Sequence, residues 1–165
     1  MAKTYLSADT LREHFTYDPE TGHFIRRTAT QKFGVGSRAG HIGPYGYWCI
    51  GHEKAKYLAH RLAFIYMTGE LPKFHVDHIN GNRLDNRWGN LRDVSRTVNQ
   101  QNFRRVRVDS RSGLQGVQRI NVNGKWRARI RLNGKYHHIG CFATPEDAHE
   151  AYLQAKRKLH EGCTI

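Results

Sequence analysis

Two Asn-Gly steps, Asn123-Gly124 and Asn133-Gly134, set the strongest limit on how this chain can fold. An Asn-Gly pair between extended runs is the chemistry of a two-residue hairpin turn, because both positions need φ > 0. Residues 117–120 lead into the first step, 125–132 join the two, and 135–142 leave the second, so the spacing predicts three antiparallel strands. In the middle strand Trp126, Ala128, Ile130 and Leu132 alternate with Arg127, Arg129 and Arg131. A period of two puts these sets on opposite faces, one apolar and one cationic. Thr144-Pro145-Glu146-Asp147 then supplies an N-cap, an N1 proline and an acidic first turn. Ala148, Ala151, Tyr152, Ala155 and Leu159 form the apolar stripe of the helix that follows, and Gly162 is expected to end it. The helix would cover the apolar face of the sheet and leave the arginine face open.

A second stretch, residues 74–103 (FHVDHINGNRLDNRWGNLRDVSRTVNQQNF), carries candidate chemistry. Asp77 precedes His78 directly, Asn90-Leu91-Arg92 begins thirteen residues after Asp77, and Asn99 follows Asn90 by nine. Breaking a phosphodiester with water needs a cation to polarise the phosphate and a base to take a proton from the water. Asp77 is a hard-oxygen ligand and His78 an imidazole that titrates near neutrality. Neighbours on a strand point to opposite faces, so the pair can share a task only if the backbone bends just after it. Ile79-Asn80-Gly81-Asn82 supplies the turn formers for that bend. Asp93-Val94-Ser95 offers a helix N-cap and places Asn99 one turn into a helix with its amide able to face a metal. The local form expected is strand, loop, strand, helix.

The remaining residues describe a chain that can bury a core and seeks a polyanion. Lys and Arg number 27 against 14 Asp and Glu, a net charge of +13. Thirteen of the basic side chains but only five of the acidic ones lie after position 103. The three cysteines, Cys49, Cys141 and Cys163, form no Cys-x-x-Cys pair, which argues against zinc knuckles and a disulfide framework. No apolar run approaches membrane length and the first ten residues lack a signal-peptide core, so the expectation is a cytoplasmic protein with no membrane partner.

From the N-terminus, Ser7 reads as an N-cap with Leu6 and Leu11 as a hydrophobic staple. Residues 17–22 read as a turn leading into a strand at 23–26, and glycines at 34, 36, 40, 43 and 46 imply loops. Residues 47–50 resume an extended run that Glu53-Lys54 turns into a second strand. Leu58, Leu62, Ile65 and Tyr66 recur at helical spacing up to Gly69, predicting a helix over 58–68 whose His60 and Arg61 could reach a DNA phosphate. Residues 104–112, with four arginines, read as a solvated linker able to touch phosphates.

The pattern DHINGN…DNRWGNLR, closed by Asn99, resembles the HNH endonucleases with the ββα-metal fold, in the variant whose last motif residue is Asn, found among phage and intron-homing enzymes. DPETG and HRLAFIYMTG extend the resemblance over nearly all of residues 5–103. It implies Asp77 and Asn99 as metal ligands, His78 as general base and Asn90 as the residue that orients the histidine. An amide oxygen in place of a final His suits Mg²⁺, or Mn²⁺, better than Zn²⁺. Arg92 is a weaker candidate for a phosphate clamp.

GVQRI, GKWRARIR, YHHIGCF and TPEDAHEAY, over about 113–162, resemble the plant APETALA/ethylene-response DNA-binding domain, members of which occur fused to phage HNH nucleases. That resemblance implies a sheet laid in the DNA major groove, with Gln118, Arg127, Arg129, Arg131 and His138 facing the bases. Gln118 and His138 depart from the plant pattern, so the recognised sequence is not inherited from those proteins.

The expectation is therefore an α+β chain: a ββα-metal nuclease domain over 1–103, a basic linker over 104–112, and a three-stranded sheet packed on one helix over 113–165. It would be a monomer that cuts double-stranded DNA with one divalent ion and no small-molecule cofactor. The rival is a non-catalytic DNA-binding regulator with a decayed nuclease domain.

Overall fold

The computed structural model describes residues 5–103, 106, 108, 110–120 and 124–164. Arg104, Arg105 and Arg107 of the expected linker, and Asn123 of the first Asn-Gly turn, lie outside the described residues. The chain is mixed α and β, with small sheets and four α-helices among the described residues, and it divides into two compact units, Met1–Ser95 and Arg96–Ile165.

In the first unit, helix α1 (Ala8–His14) starts where Ser7 Oγ accepts from the Thr10 amide, as its N-cap chemistry predicts. Strand β1 (Phe15–Asp18) follows without a break and pairs antiparallel with β2 (His23–Arg26). The sequence signals a turn at 17–22 and hides β1, because only Phe15 and Tyr17 alternate and nothing punctuates His14-Phe15. Between these strands Asp18 caps the turn, accepting from the Glu20 amide and the Thr21 hydroxyl. Strands β3 (His41–Ile42), β4 (Trp48–His52) and β5 (Ala55–Leu58) form a three-stranded antiparallel sheet. Its β4–β5 turn runs through Glu53 and Lys54 with φ of 46° and 64°. Helix α2 (Ala59–Thr68) ends at Gly69, which takes φ 81° and returns its N–H to Ile65 O.

Leu11, Phe15, Phe24, Ile50, Leu62 and Ile65 are the heart of this unit's core. Burying each large apolar side chain is worth about 1.5–3 kcal/mol. Strands β6 (His75–His78) and β7 (Leu91–Val94) close the unit as an antiparallel hairpin, with Val76 and Leu91 anchored in the same core. A 3-10 turn, Trp88–Asn90, leads into β7.

The second unit begins with α3 (Arg96–Gln101), so the division falls after Ser95 and the helix bearing Asn99 groups with the C-terminal residues. Strands β8 (Val117–Arg119), β9 (Trp126–Leu132) and β10 (Lys135–Phe142) make one antiparallel sheet in the order β10-β9-β8. Asn133 and Gly134 take φ of 48° and 80°, the backbone their pair demands. Helix α4 (Pro145–Leu159) is capped by Thr144 Oγ1 and buries Ala148 and Tyr152 against Ala128 and Ile130. It stops at Leu159, with His160 as C-cap, three residues before Gly162. Gly162 answers a different need: a Cβ there would lie 2.1 Å from Val98 O on α3.

Candidate active site and nucleic-acid interface

Hairpin β6–β7 positions the candidate catalytic residues. The register sets Asp77 opposite Arg92 and His78 opposite Leu91. Asp77 is 8% exposed, and its Oδ2 accepts from Arg92 Nε at 3.1 Å and Nη2 at 2.9 Å. The candidate phosphate clamp is thus engaged with the candidate metal ligand. Two charge-assisted bonds from one guanidinium hold that carboxylate in place.

His78 is 3% exposed, and its Nε2 lies 3.1 Å from Asn86 Oδ1. Burial pushes its pKa below the usual imidazole range, against the Asn86 hydrogen bond and the charge of Asp77, which raise it. Around it stand Tyr47, ring centroid 6.1 Å away, and His60 of α2, edge-on at 5.0 Å. His60 is 4% exposed, Nδ1 has no hydrogen-bond partner, and burial drives its pKa down to about 3. The sequence places His60 near a DNA phosphate; the structure corrects this, since it is buried behind the site. Arg61 stacks over the Tyr5 ring at 5.3 Å. Arg83 sits over Tyr47 at 4.6 Å and donates to Tyr45 O, leaving a cation beside the His78 surroundings.

The loop between the strands is knit by its own polar side chains. Asn90 O accepts from Ile79 N, Asn90 Oδ1 from Asn80 N, and Asn90 Nδ2 donates to Asp85 O and Asn80 Oδ1. Asp85 is clasped by Arg87 at 2.6 and 2.8 Å, which holds its carboxyl down at about 2. Asn90 therefore secures the loop through the residue after His78, and Asn86 supplies a side-chain hydrogen bond to the imidazole. Sequence reasoning passed over Asn86, although Asp-Asn-Arg inside a turn-rich loop marks a residue with work for its amide. Asp93, read as part of an N-cap, is a strand residue whose carboxylate accepts from the Lys73 and Phe74 amides.

No group of three or more His, Cys, Asp or Glu side chains that could hold a metal occurs among the described residues. The carboxylate of Asp77 is a hard oxygen donor of the kind that Mg²⁺ and Mn²⁺ accept. Asn99 lies on α3, in the second unit.

On the second unit, cross-strand pairing gathers the expected DNA-facing residues. Gln118 pairs with Arg127, Arg129 with His138, and Arg131 with Tyr136, so these side chains share the face opposite Ala128 and Ile130. Gln118, Arg131 and His138 are exposed, Arg127 and Arg129 half-buried. Tyr136, absent from the sequence expectation, is 59% exposed, with Arg129 at 4.3 Å and Arg131 at 5.8 Å from its ring. The ring eases the crowding of like charges that the bare alternation implies.

A family model for HNH endonuclease matches residues 57–101. The T7 phage of Escherichia carries a protein designated 3.8, 32% identical over 94 residues that cover 56% of this chain and 76% of that protein. The chain carries a region that matches the HNH endonuclease family, and it is similar to proteins named as HNH endonucleases. An uncharacterised HNH endonuclease of Acanthamoeba polyphaga mimivirus is 31% identical over 114 residues, 68% of this chain and 57% of the relative. A protein named as an SPbeta prophage-derived HNH homing endonuclease, from Bacillus subtilis, is 36% identical over 81 residues, 46% of each. The chain thus spans about half the length of those two relatives. No solved structure matches it significantly. Among the described residues no helix is long and apolar enough to cross a membrane.

Proposed function

We propose that this HNH protein is a metal-dependent endonuclease that hydrolyses phosphodiester bonds in double-stranded DNA, guided to its site by the C-terminal unit. The observation that carries this reading is the buried His78 imidazole, held by Asn86 next to the Asp77 carboxylate inside the region matched to the family. Its lowered pKa keeps the ring neutral near pH 7 and so able to accept a proton. His78 takes a proton from water as the water oxygen bonds to phosphorus; the bond to the 3′ oxygen breaks, and that oxygen gains a proton from solvent. Asp77 would hold a Mg²⁺ or Mn²⁺ ion, with the Asn99 amide as a further ligand, the part of Asn99 resting on motif spacing. Such an ion, when bound, polarises the phosphate and offsets charge on the departing oxygen. Arg92 keeps the Asp77 carboxylate oriented.

In the second unit the face bearing Gln118, Arg127, Arg129, Arg131 and His138 supports major-groove contact of the APETALA type. Arginine is the usual partner of guanine in that groove. With one centre per chain, a monomer nicks. Supercoiled plasmid incubated with and without Mg²⁺ tests the reading. Nicking that needs the ion, and is lost in His78→Ala while DNA retention persists, is the expected result. Retention without nicking in the parent would leave a DNA-binding regulator instead.

A further inference from the structure

The His78 side chain meets an amide whose orientation is settled by its own partners. Asn86 is 2% exposed, and its Nδ2 donates to Leu84 O at 3.3 Å. The amide nitrogen is therefore turned to a carbonyl and Oδ1 to the imidazole, 3.1 Å from Nε2. An amide oxygen only accepts, so the ring nitrogen facing it must carry the hydrogen. The neutral ring then has its lone pair at Nδ1.

Three contacts from the N-terminal hairpin bear on the backbone of residues 86–88. Tyr17 donates its hydroxyl proton to Asn86 O at 2.7 Å, and burial with the nearby Asp18 and Asp85 charges pushes the Tyr17 pKa far up, so the donor stays protonated. Trp88 N donates to Pro19 O at 2.9 Å. Gly22, at φ 71°, lies so close that a Cβ would stand 2.3 Å from Asn86 C and 2.4 Å from Arg87 N. These three contacts come from residues 17–22, outside the segment 57–101 that the family model matches.

We propose that Asn86, braced by Tyr17 and Gly22 of the β1–β2 hairpin, is the positioning residue of the site: it fixes His78 in the Nε2–H form and so makes Nδ1 the atom that takes the proton from water. The catalytic half of this inference rests on the endonuclease reading; the tautomer half does not. An amide partner of this kind does for a histidine base what an outer partner does for a metal-bound one, and its loss costs roughly 10- to 100-fold in activity.

The test is nitrogen NMR of His78 in the full-length protein, beside steady-state cleavage of duplex DNA in Mg²⁺. The parent is expected to show protonated Nε2 and bare Nδ1; the opposite tautomer in the parent overturns the proposal with no variant needed. Asn86→Leu is expected to mix the tautomers and lower kcat roughly 10- to 100-fold with KM unchanged. Asn86→Asp keeps an acceptor oxygen and should retain Nε2–H, which tests the point even if the leucine variant fails to fold. Tyr17→Phe should give a smaller loss in kcat of the same kind. Unchanged tautomer and unchanged kcat in a folded Asn86→Leu protein would remove Asn86 from the mechanism while leaving the endonuclease reading standing. A tautomer that follows Asn86 in a protein that cuts no DNA would do the reverse.

Discussion

Replacing His60 with phenylalanine should flatten the acid sensitivity of the first unit. His60 is 4% exposed beside His78, and its Nδ1 is unsatisfied. Unfolded, it binds a proton near pH 6.5; folded, it does so only near pH 3. Between those values the unfolded chain holds the extra proton, so its contribution is complete above pH 6.5 and is lost as pH falls toward 3. One pKa unit corresponds to about 1.4 kcal/mol, so this one group removes about 2 kcal/mol between about pH 6.5 and about pH 5. For a unit of this size that is a fall in Tm of roughly 8–16 °C. His78, also shifted down, adds a loss of the same sign in both proteins. The phenylalanine ring is larger than the imidazole but removes the unsatisfied nitrogen, and the two effects oppose each other near neutral pH, so the comparison is between the acid shifts and not the absolute stabilities. Thermal melting by near-UV circular dichroism at about pH 7 and about pH 5 reads the difference. An identical acid shift in His60→Phe and parent would show that His60 is not the buried neutral group described.

Arg92→Ala takes the guanidinium from a carboxylate that is 8% exposed, and should cost about 2–3 kcal/mol in urea unfolding; a double-mutant cycle with Asp77→Asn should show coupling. Gly22→Ala forces a side chain against the Asn86 backbone at φ 71°, so a loss above about 2 kcal/mol is expected, beyond the roughly 1 kcal/mol of the backbone conformation alone. Arg127→Ala with Arg129→Ala should weaken DNA binding and reduce the slope of log affinity against log salt by up to about 2; an unchanged slope would exclude that face.

Residues whose local chemistry is self-sufficient were legible in the sequence. Ser7 and Thr144 cap the helices they announce, Gly69 ends α2, and Asn133-Gly134 turns β9 into β10. The centre was legible only as far as its motif reached. Asp77, His78 and Asn90 lie together on one hairpin, while Asn86, four positions from the motif asparagine, also meets His78. Spacing identifies residues by kind and separation, but which amide meets the imidazole depends on how the loop folds, and Asp85-Arg87 and Asn80-Asn90 decide that together. His60 was misread because helical periodicity assigns faces and says nothing of what packs against each. Tyr136 escaped notice because its place between two arginines arises only once β9 and β10 are in register.

The grip of the N-terminal hairpin on residues 86–88 bears on how small a folded module cut from this chain can be. A fragment starting at the family boundary, Tyr57, would keep every motif residue through Asn99 and yet lose Tyr17, Pro19 and Gly22. Trimming or transplanting this module should therefore begin upstream of Ser7, because the shortest autonomous unit is defined by what steadies the histidine and not by where its signature starts.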